Sequence, residues 1–156
     1  MPQIYIFAML ILVRDRDYLE LLVDLTGKKV YVWTCDTCAR LCNSVGGRKS
    51  AEALAERLSG DGVEIVGLGT TSASCIMSKL ERVADEVFSK DPDVVLSLTC
   101  DAGAACAASV FGRDTVNPVD TLGYGYLSQD GVPVLLSDLS GKRFTKGTDG
   151  SSPFTE

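Results

Sequence analysis

The chain has 156 residues, 46% of them apolar and 23% charged; these are globular proportions for about one domain and exclude a chain disordered throughout. The net charge of −6 argues against broad, non-specific nucleic-acid binding, which needs a basic face. There is no histidine, which removes Ser-His-Asp and Cys-His catalysis, imidazole metal ligands and histidine-based pH switching together.

The chain opens on an apolar run of 13 residues, MPQIYIFAMLILV, followed by Arg14-Asp15-Arg16. The run is shorter than the roughly 20 residues that span a bilayer. It has neither a basic leading region nor a small-residue cleavage site. A buried strand is expected here, with Met9 as an alternative start. No membrane association is expected, and a cytoplasmic location follows. There the six cysteines point to metal binding or catalysis rather than to disulfides.

Asp17 to Leu25 sets Tyr18, Leu21, Leu22 and Leu25 on one helical face, and Gly27 stops the helix. Lys29 to Trp33 reads as a strand. Cys35 to Gly47 is polar and Cys-rich, and is expected as a loop or irregular first turn. A helix follows over Ser50 to Leu58, capped near Lys49-Ser50. Gly60-Asp61-Gly62 turns the chain into a strand over Val63 to Leu68, and Thr70 to Ser74 is a small-residue loop ending at Cys75. Met77 to Phe88, with Leu80, Val83, Ala84 and Val87 in one stripe, predicts a single helix broken at Asp91-Pro92-Asp93. Val94 to Leu98 is apolar on both faces and predicts a central strand. Gly103 to Phe111 predicts a short Ala-rich helix, and Val132 to Leu136 a strand that Pro133 assigns to an edge. Residues 1–139 are expected to form one domain, and residues 140–156 a flexible tail.

Strands alternating with helices imply a three-layer βαβ open sheet, mainly parallel and Rossmann- or flavodoxin-like, with right-handed crossovers. In such sheets ligands sit beyond the carboxyl ends of the strands. The cysteines fall there. Cys35, Cys38 and Cys42 follow the strand KVYVW, Cys75 follows VEIVGL, and Cys100 follows VVLSL, with Cys106 one or two turns into the next helix. If the strands are neighbours, the thiols converge in one crevice.

The spacing C-x-x-C-x-x-x-C with a distant fourth thiolate suits a soft metal centre, and without histidine the choice lies between an iron–sulfur cluster and an all-cysteine zinc site. A [4Fe–4S] cluster is favoured, because structural zinc sites more often show two C-x-x-C pairs and only one is present. Gly46-Gly47 permits close backbone approach. Two other readings attach to these segments. Cys35-Asp36-Thr37-Cys38 after a strand could be a thioredoxin-like redox pair, which leaves four cysteines unexplained. Gly67-Leu68-Gly69 with Thr70, Thr71 and Ser72 is a weak phosphate-loop pattern, for which a tight turn close to the thiols is the plainer explanation.

The ordered set Cys35-x-x-Cys38-x-x-x-Cys42, Gly46-Gly47, Thr70-Thr71 with Cys75, Thr99-Cys100-Asp101-Ala102-Gly103 and Pro118-Val119-Asp120-Thr121 resembles the methylenetetrahydrofolate reductase C-terminal-type domain family, over about Met9 to Leu139. The resemblance implies an iron–sulfur protein that works with a flavin-dependent methylenetetrahydrofolate reductase subunit in one-carbon metabolism. It also implies that Cys35, Cys38, Cys42, Cys75 and Cys100 are the positions that hold the cluster, of which a cube needs four. Cys106 has no counterpart, and the second Cys-rich segment of longer family members is absent. A short form of this kind would also suit another corrinoid or pterin methyl-transfer partner.

No general base converges with the thiols, so the expected role is an electron-transfer or accessory subunit rather than the catalyst. Asp36 and Asp101 are expected to be solvated or to tune the centre through charge. The alternatives are a zinc–thiolate protein in methyl transfer and a plain α/β module with unligated thiols. Asp120-Thr121 and Gly123-Tyr124-Gly125-Tyr126 are expected as a turn or a small-molecule or partner loop. Tyr124 and Tyr126 would be able to stack on a ring or line an interface, including one between copies of the chain.

Overall fold

The computed structural model of the chain describes residues 10–41, 46–138 and 143–149. Its elements in chain order are β1 (Leu10–Asp15), α1 (Tyr18–Leu25), β2 (Lys29–Cys35), α2 (Cys38–Leu41), α3 (Arg48–Gly60), β3 (Glu64–Thr71), α4 (Met77–Glu81), α5 (Ala84–Lys90), β4 (Val94–Leu98), α6 (Asp101–Phe111), β5 (Asp114–Val116), β6 (Val119–Leu127), β7 (Pro133–Asp138) and β8 (Arg143–Asp149).

Strands β2 to β5 form one sheet in the order β3-β2-β4-β5, with every neighbouring pair parallel. Both faces are covered, as an all-parallel sheet requires. Alternation along β2 sends Val30 and Val32 to one face, where they pack with Leu21 and Leu25 of α1 and Ala51 and Leu58 of α3. Tyr31 and Trp33 point to the other face and pack with Leu80, Val87, Ala107 and Phe111. The Trp33 and Phe111 rings meet edge to face at 5.1 Å. The expected three-layer, mainly parallel α/β fold is therefore present, with β2 and the fully buried β4 as the central pair.

The stripe over residues 77–88 is two helices, not one. At the junction, Val83 N–H bonds Leu80 O at 3.1 Å and Glu86 N–H bonds Val83 O at 3.1 Å, an i→i+3 pattern. The break keeps Leu80, Ala84 and Val87 on the core while the chain turns. The Gly67-Leu68-Gly69 segment is strand, not a phosphate loop or a turn. Its glycines make room for a neighbour's side chain: a Cβ at Gly67 would lie 2.7 Å from the Tyr31 ring, and one at Gly69 would lie 2.6 Å from its hydroxyl.

Tyr31 is fully buried, and its hydroxyl has no hydrogen-bond partner. Burial, with the Glu86 carboxylate as a lesser cause, pushes its pKa up to about 12. Because the folded pKa lies above the unfolded value of about 10, this group's contribution is intact below pH ~10 and lost as the pH rises through 12. Tyr31→Phe should therefore be at least as stable as wild type at pH 8, since it removes an orphaned buried polar atom. It should then escape the alkaline loss, which approaches about 1.4 kcal/mol per pH unit between the two pKa values. Urea melts at pH 8 and pH 11 read both effects.

A second sheet was not legible in the sequence. It is antiparallel, in the order β1-β6-β7-β8, so the expected N-terminal strand pairs with Val119–Leu127 rather than joining the parallel sheet. Asp120-Thr121 and Tyr124 and Tyr126 thus lie on a strand and not in a loop. Pro133 is not on an edge strand: β7 pairs on both sides, and Pro133 is its first residue, beyond the β8 pairing that starts at Val134. A proline is tolerated there because no ladder bond is lost. Residues 143–149, expected within the tail, form β8. Arg16 ties the two sheets' connections together: its backbone N–H bonds Pro118 O at 2.8 Å, and its Nη1 donates to Asn117 O at 2.9 Å.

Candidate functional site

The carboxyl edge of the parallel sheet is held by side chains that substitute for missing backbone partners. Helix α3 begins after Gly47, which has φ +91 and no capping side chain of its own. The orphan N–H groups are met from β2 instead. Buried Thr34 donates from Oγ1 to Leu98 O at 3.1 Å and accepts the Gly47 N–H at 2.7 Å. Asp36 Oδ1 accepts the Arg48 N–H at 3.2 Å, and its Oδ2 accepts the Thr70 hydroxyl at 2.6 Å. Asp36 is thus a fastener between β2, β3 and α3 rather than a solvated group. The cap is distant in sequence from Lys49-Ser50, where it was expected.

Gly47 also lies under a side chain: a Cβ there would sit 2.8 Å from Arg40 Cγ. The Arg40 Nε donates back to Asp36 O at 2.7 Å. Residues 35 to 47, expected as an irregular loop, therefore include the short helix α2, which packs against β1 of the second sheet.

On the other face of the sheet, the Ser74 hydroxyl accepts the Trp33 Nε1–H at 2.9 Å and donates to Gly103 O at 2.9 Å. This buried relay locks the loop after β3 to the first turn of α6. A Cβ at Gly103 would meet Thr99 Cβ at 2.9 Å and Ser74 Cβ at 3.0 Å, so the close approach depends on glycine. The second sheet reaches the same turn, where Thr121 Oγ1 accepts the Asp101 N–H at 2.8 Å. Asn117 Nδ2 donates to Asp101 Oδ1 at 3.3 Å.

These fastenings set the positions of the thiols. Cys35 closes β2, Cys38 opens α2, Cys75 ends the loop after β3, and Cys100 stands at the N-cap of α6. Cys100 has Cys38 and Cys75 in electrostatic range, and each of the three follows a different strand end. Cys35 is buried, at 8% exposure, and its Sγ faces Ser72 O at 3.7 Å. Cys106 lies one turn beyond Gly103 on α6, with Cys75 and Glu81 in electrostatic range. Cys42 lies outside the described residues. None of the five described cysteines is in a disulfide.

Burial pushes the Cys100 thiol pKa up, and the nearby Cys38 and Cys75 sulfurs add to this. The backbone N–H groups of Gly103 and Ala102 act the other way, although the sulfur makes no cap hydrogen bond. Burial raises Cys106 as well. A soft cation among these sulfurs would reverse the balance, because a coordinated thiol loses its proton outright.

The donor set is all sulfur, as an iron–sulfur cube or a thiolate zinc site requires. Among the described residues, no group of three or more cysteine or carboxylate side chains already stands in a metal-holding arrangement. Sequence reasoning missed Thr34 and Ser74 and took Thr121 for part of a turn or partner loop, although the hydroxyls of all three position the thiol-bearing segments. Nothing local marks such residues, because their partners lie 13 to 64 residues away for Thr34, 29 and 41 for Ser74, and 20 for Thr121.

No protein-family model matches the chain, and no curated protein matches it either. Among solved structures, it is similar to unliganded arylmalonate decarboxylase, at 17% identity and a TM-score of 0.41. The match covers 64% of this chain and spans 45% of that one. At that level the likeness says nothing of activity. No helix among the described residues is long and apolar enough to cross a membrane.

Proposed function

We propose that the chain is an iron–sulfur electron-transfer or accessory subunit of pterin-dependent one-carbon metabolism, acting in the cytoplasm beside a flavin-dependent methylenetetrahydrofolate reductase subunit or another methyl-transfer protein. The observation that carries this reading is the placement of Cys38, Cys75 and Cys100 beyond the carboxyl ends of three adjacent parallel strands, β2, β3 and β4. Scattered structural cysteines would be separate small hydrophobes in the core. The ligands are drawn from Cys35, Cys38, Cys42, Cys75 and Cys100, and a [4Fe–4S] cluster bound there supplies one-electron transfer.

The chain's own residues divide the remaining work. Asp36 and Thr34 hold the C-x-x-C segment against α3. Ser74 holds the Cys75 loop against α6. The amides of Ala102 and Gly103 face the Cys100 sulfur and favour its thiolate. The identity of the partner comes from the resemblance in cysteine order and the Pro118–Thr121 motif, not from the fold.

The test is anaerobic purification followed by a visible spectrum and iron, sulfide and zinc analysis. A brown protein with a broad visible band and about four irons per chain is expected. A colourless protein with stoichiometric zinc would replace the cluster with thiolate–zinc chemistry, and a metal-free protein with six titratable thiols would overturn both.

A further inference from the structure

We propose that Cys75 and Cys106 form a dithiol pair that a small-molecule disulfide oxidises reversibly, withdrawing Cys75 from the metal centre. The pairing stands apart from the cluster reading above, and only its consequence for the metal rests on that reading. Cys106 is the described cysteine to which the cluster gives no part. It is half-buried on α6, packed against the core that holds Leu80 and Ala107. Cys75 is exposed.

One contact brings the two segments together. The Ser74 hydroxyl donates to Gly103 O at 2.9 Å, and a Cβ at Gly103 would lie 3.0 Å from Ser74 Cβ. Cys75 is the residue after Ser74, and Cys106 lies one helical turn after Gly103 on the same side of α6. From Cys75 the chain enters α4, which packs on α6. Leu80 of α4 shares a core cluster with Ala107, and Glu81 is, like Cys75, in electrostatic range of Cys106. The chain from Cys75 onward therefore runs along α6 past Cys106, and not back past Cys100 at its N-cap. A disulfide needs Cβ atoms about 3.5–4.5 Å apart. The part that adjusts to this is the exposed turn carrying Cys75, which is closed by Ile76 N–H on Ala73 O at 3.3 Å.

Exposure gives Cys75 the first step. Its thiolate attacks one sulfur of the oxidant, breaks that S–S bond, forms a mixed disulfide and expels one thiolate. The Cys106 thiolate then attacks the Cys75 sulfur, forms the internal bridge and expels the second thiolate. Two electrons pass from the protein to the oxidant, and the two cysteine protons go to the two departing thiolates. In a reducing compartment such a bridge is a transient sensor rather than a structural staple.

The full chain, purified anaerobically and stripped of metal with a chelator, is treated with oxidised glutathione, alkylated, digested and read by mass spectrometry. A Cys75–Cys106 bridge is expected as the main internal disulfide, reversed by dithiothreitol. Cys106→Ser should instead keep glutathione on Cys75. A main bridge at Cys75–Cys100 or Cys35–Cys38, or no internal bridge in the wild type, overturns the pairing. Iron and sulfide are then offered to the reduced and the oxidised wild type. The oxidised form should take up at least about fivefold less iron, since a bridged sulfur is no ligand, and dithiothreitol should restore the uptake. Equal uptake by the two forms overturns the control of the metal by the pair. A bridge in a chain that takes up no iron in either form keeps the pair and overturns the cluster reading instead.

Discussion

Cys38→Ser is expected to leave the anaerobically purified protein without its visible band and with less than about a tenth of the wild-type iron, because a serine hydroxyl does not replace a thiolate on a soft cluster. Cys38 opens α2 at the point where β2 ends, and its sulfur neighbours that of Cys100. The same loss is expected for Cys100→Ser. Cys106→Ser should retain iron, since Cys106 sits a turn deeper on α6 and packs against the core. Far-UV circular dichroism separates loss of metal from loss of fold. An unchanged spectrum in Cys38→Ser would sink the cluster reading.

Gly103→Val is expected to cost about 3 kcal/mol, at the upper end of overpacking penalties. The added branch would press on Thr99 and Ser74, which are themselves buried, so neither can swing into solvent. Relief requires α6 to lift from the loop after β3, which strains the Trp33–Ser74–Gly103 relay and moves Cys100 away from Cys75. Metal uptake should therefore fall even though all six cysteines remain. Gly60→Ala is the control. No atom lies within 4 Å of a Cβ there, and the residue is helical, so a gain of about 0.5–1 kcal/mol is expected. Urea midpoints and iron content measured on the same preparations test both, and a Gly103→Val protein as stable as wild type would refute the argument.

Much of the parallel sheet was legible because its signal is local. KVYVW and VVLSL are short, apolar and β-branched, and they became the two central strands. The helical stripes of α1 and α3 were equally clear, and Asp17 caps α1 by accepting the Glu20 N–H. The stripe over 77–88 hid a break, since two helices joined by a tight turn can keep the same face buried. Strand β6 was read as a turn because Gly123 and Gly125 look like turn residues. In the sheet Gly125 serves another purpose: a Cβ there would lie 1.8 Å from Val134 O. Strand β8, polar but for Phe144 and Gly147, carries no apolar alternation to announce it.

The sequence by itself determined the chemistry available to this protein. Six cysteines and no histidine leave thiols and carboxylates as the candidate donors, and strands followed by cysteines direct the thiols to one edge. Tertiary structure alone decided which thiols are neighbours and what holds them. Cys100 has Cys38 and Cys75 in electrostatic range, Cys35 turns to Ser72, and Asp36 caps a helix twelve residues away. The reason is physical. Hydrophobic period and residue chemistry are local quantities written in the order of the chain. Side-chain hydrogen bonds between strand ends depend on which strands become neighbours, and that is settled only when the sheet assembles.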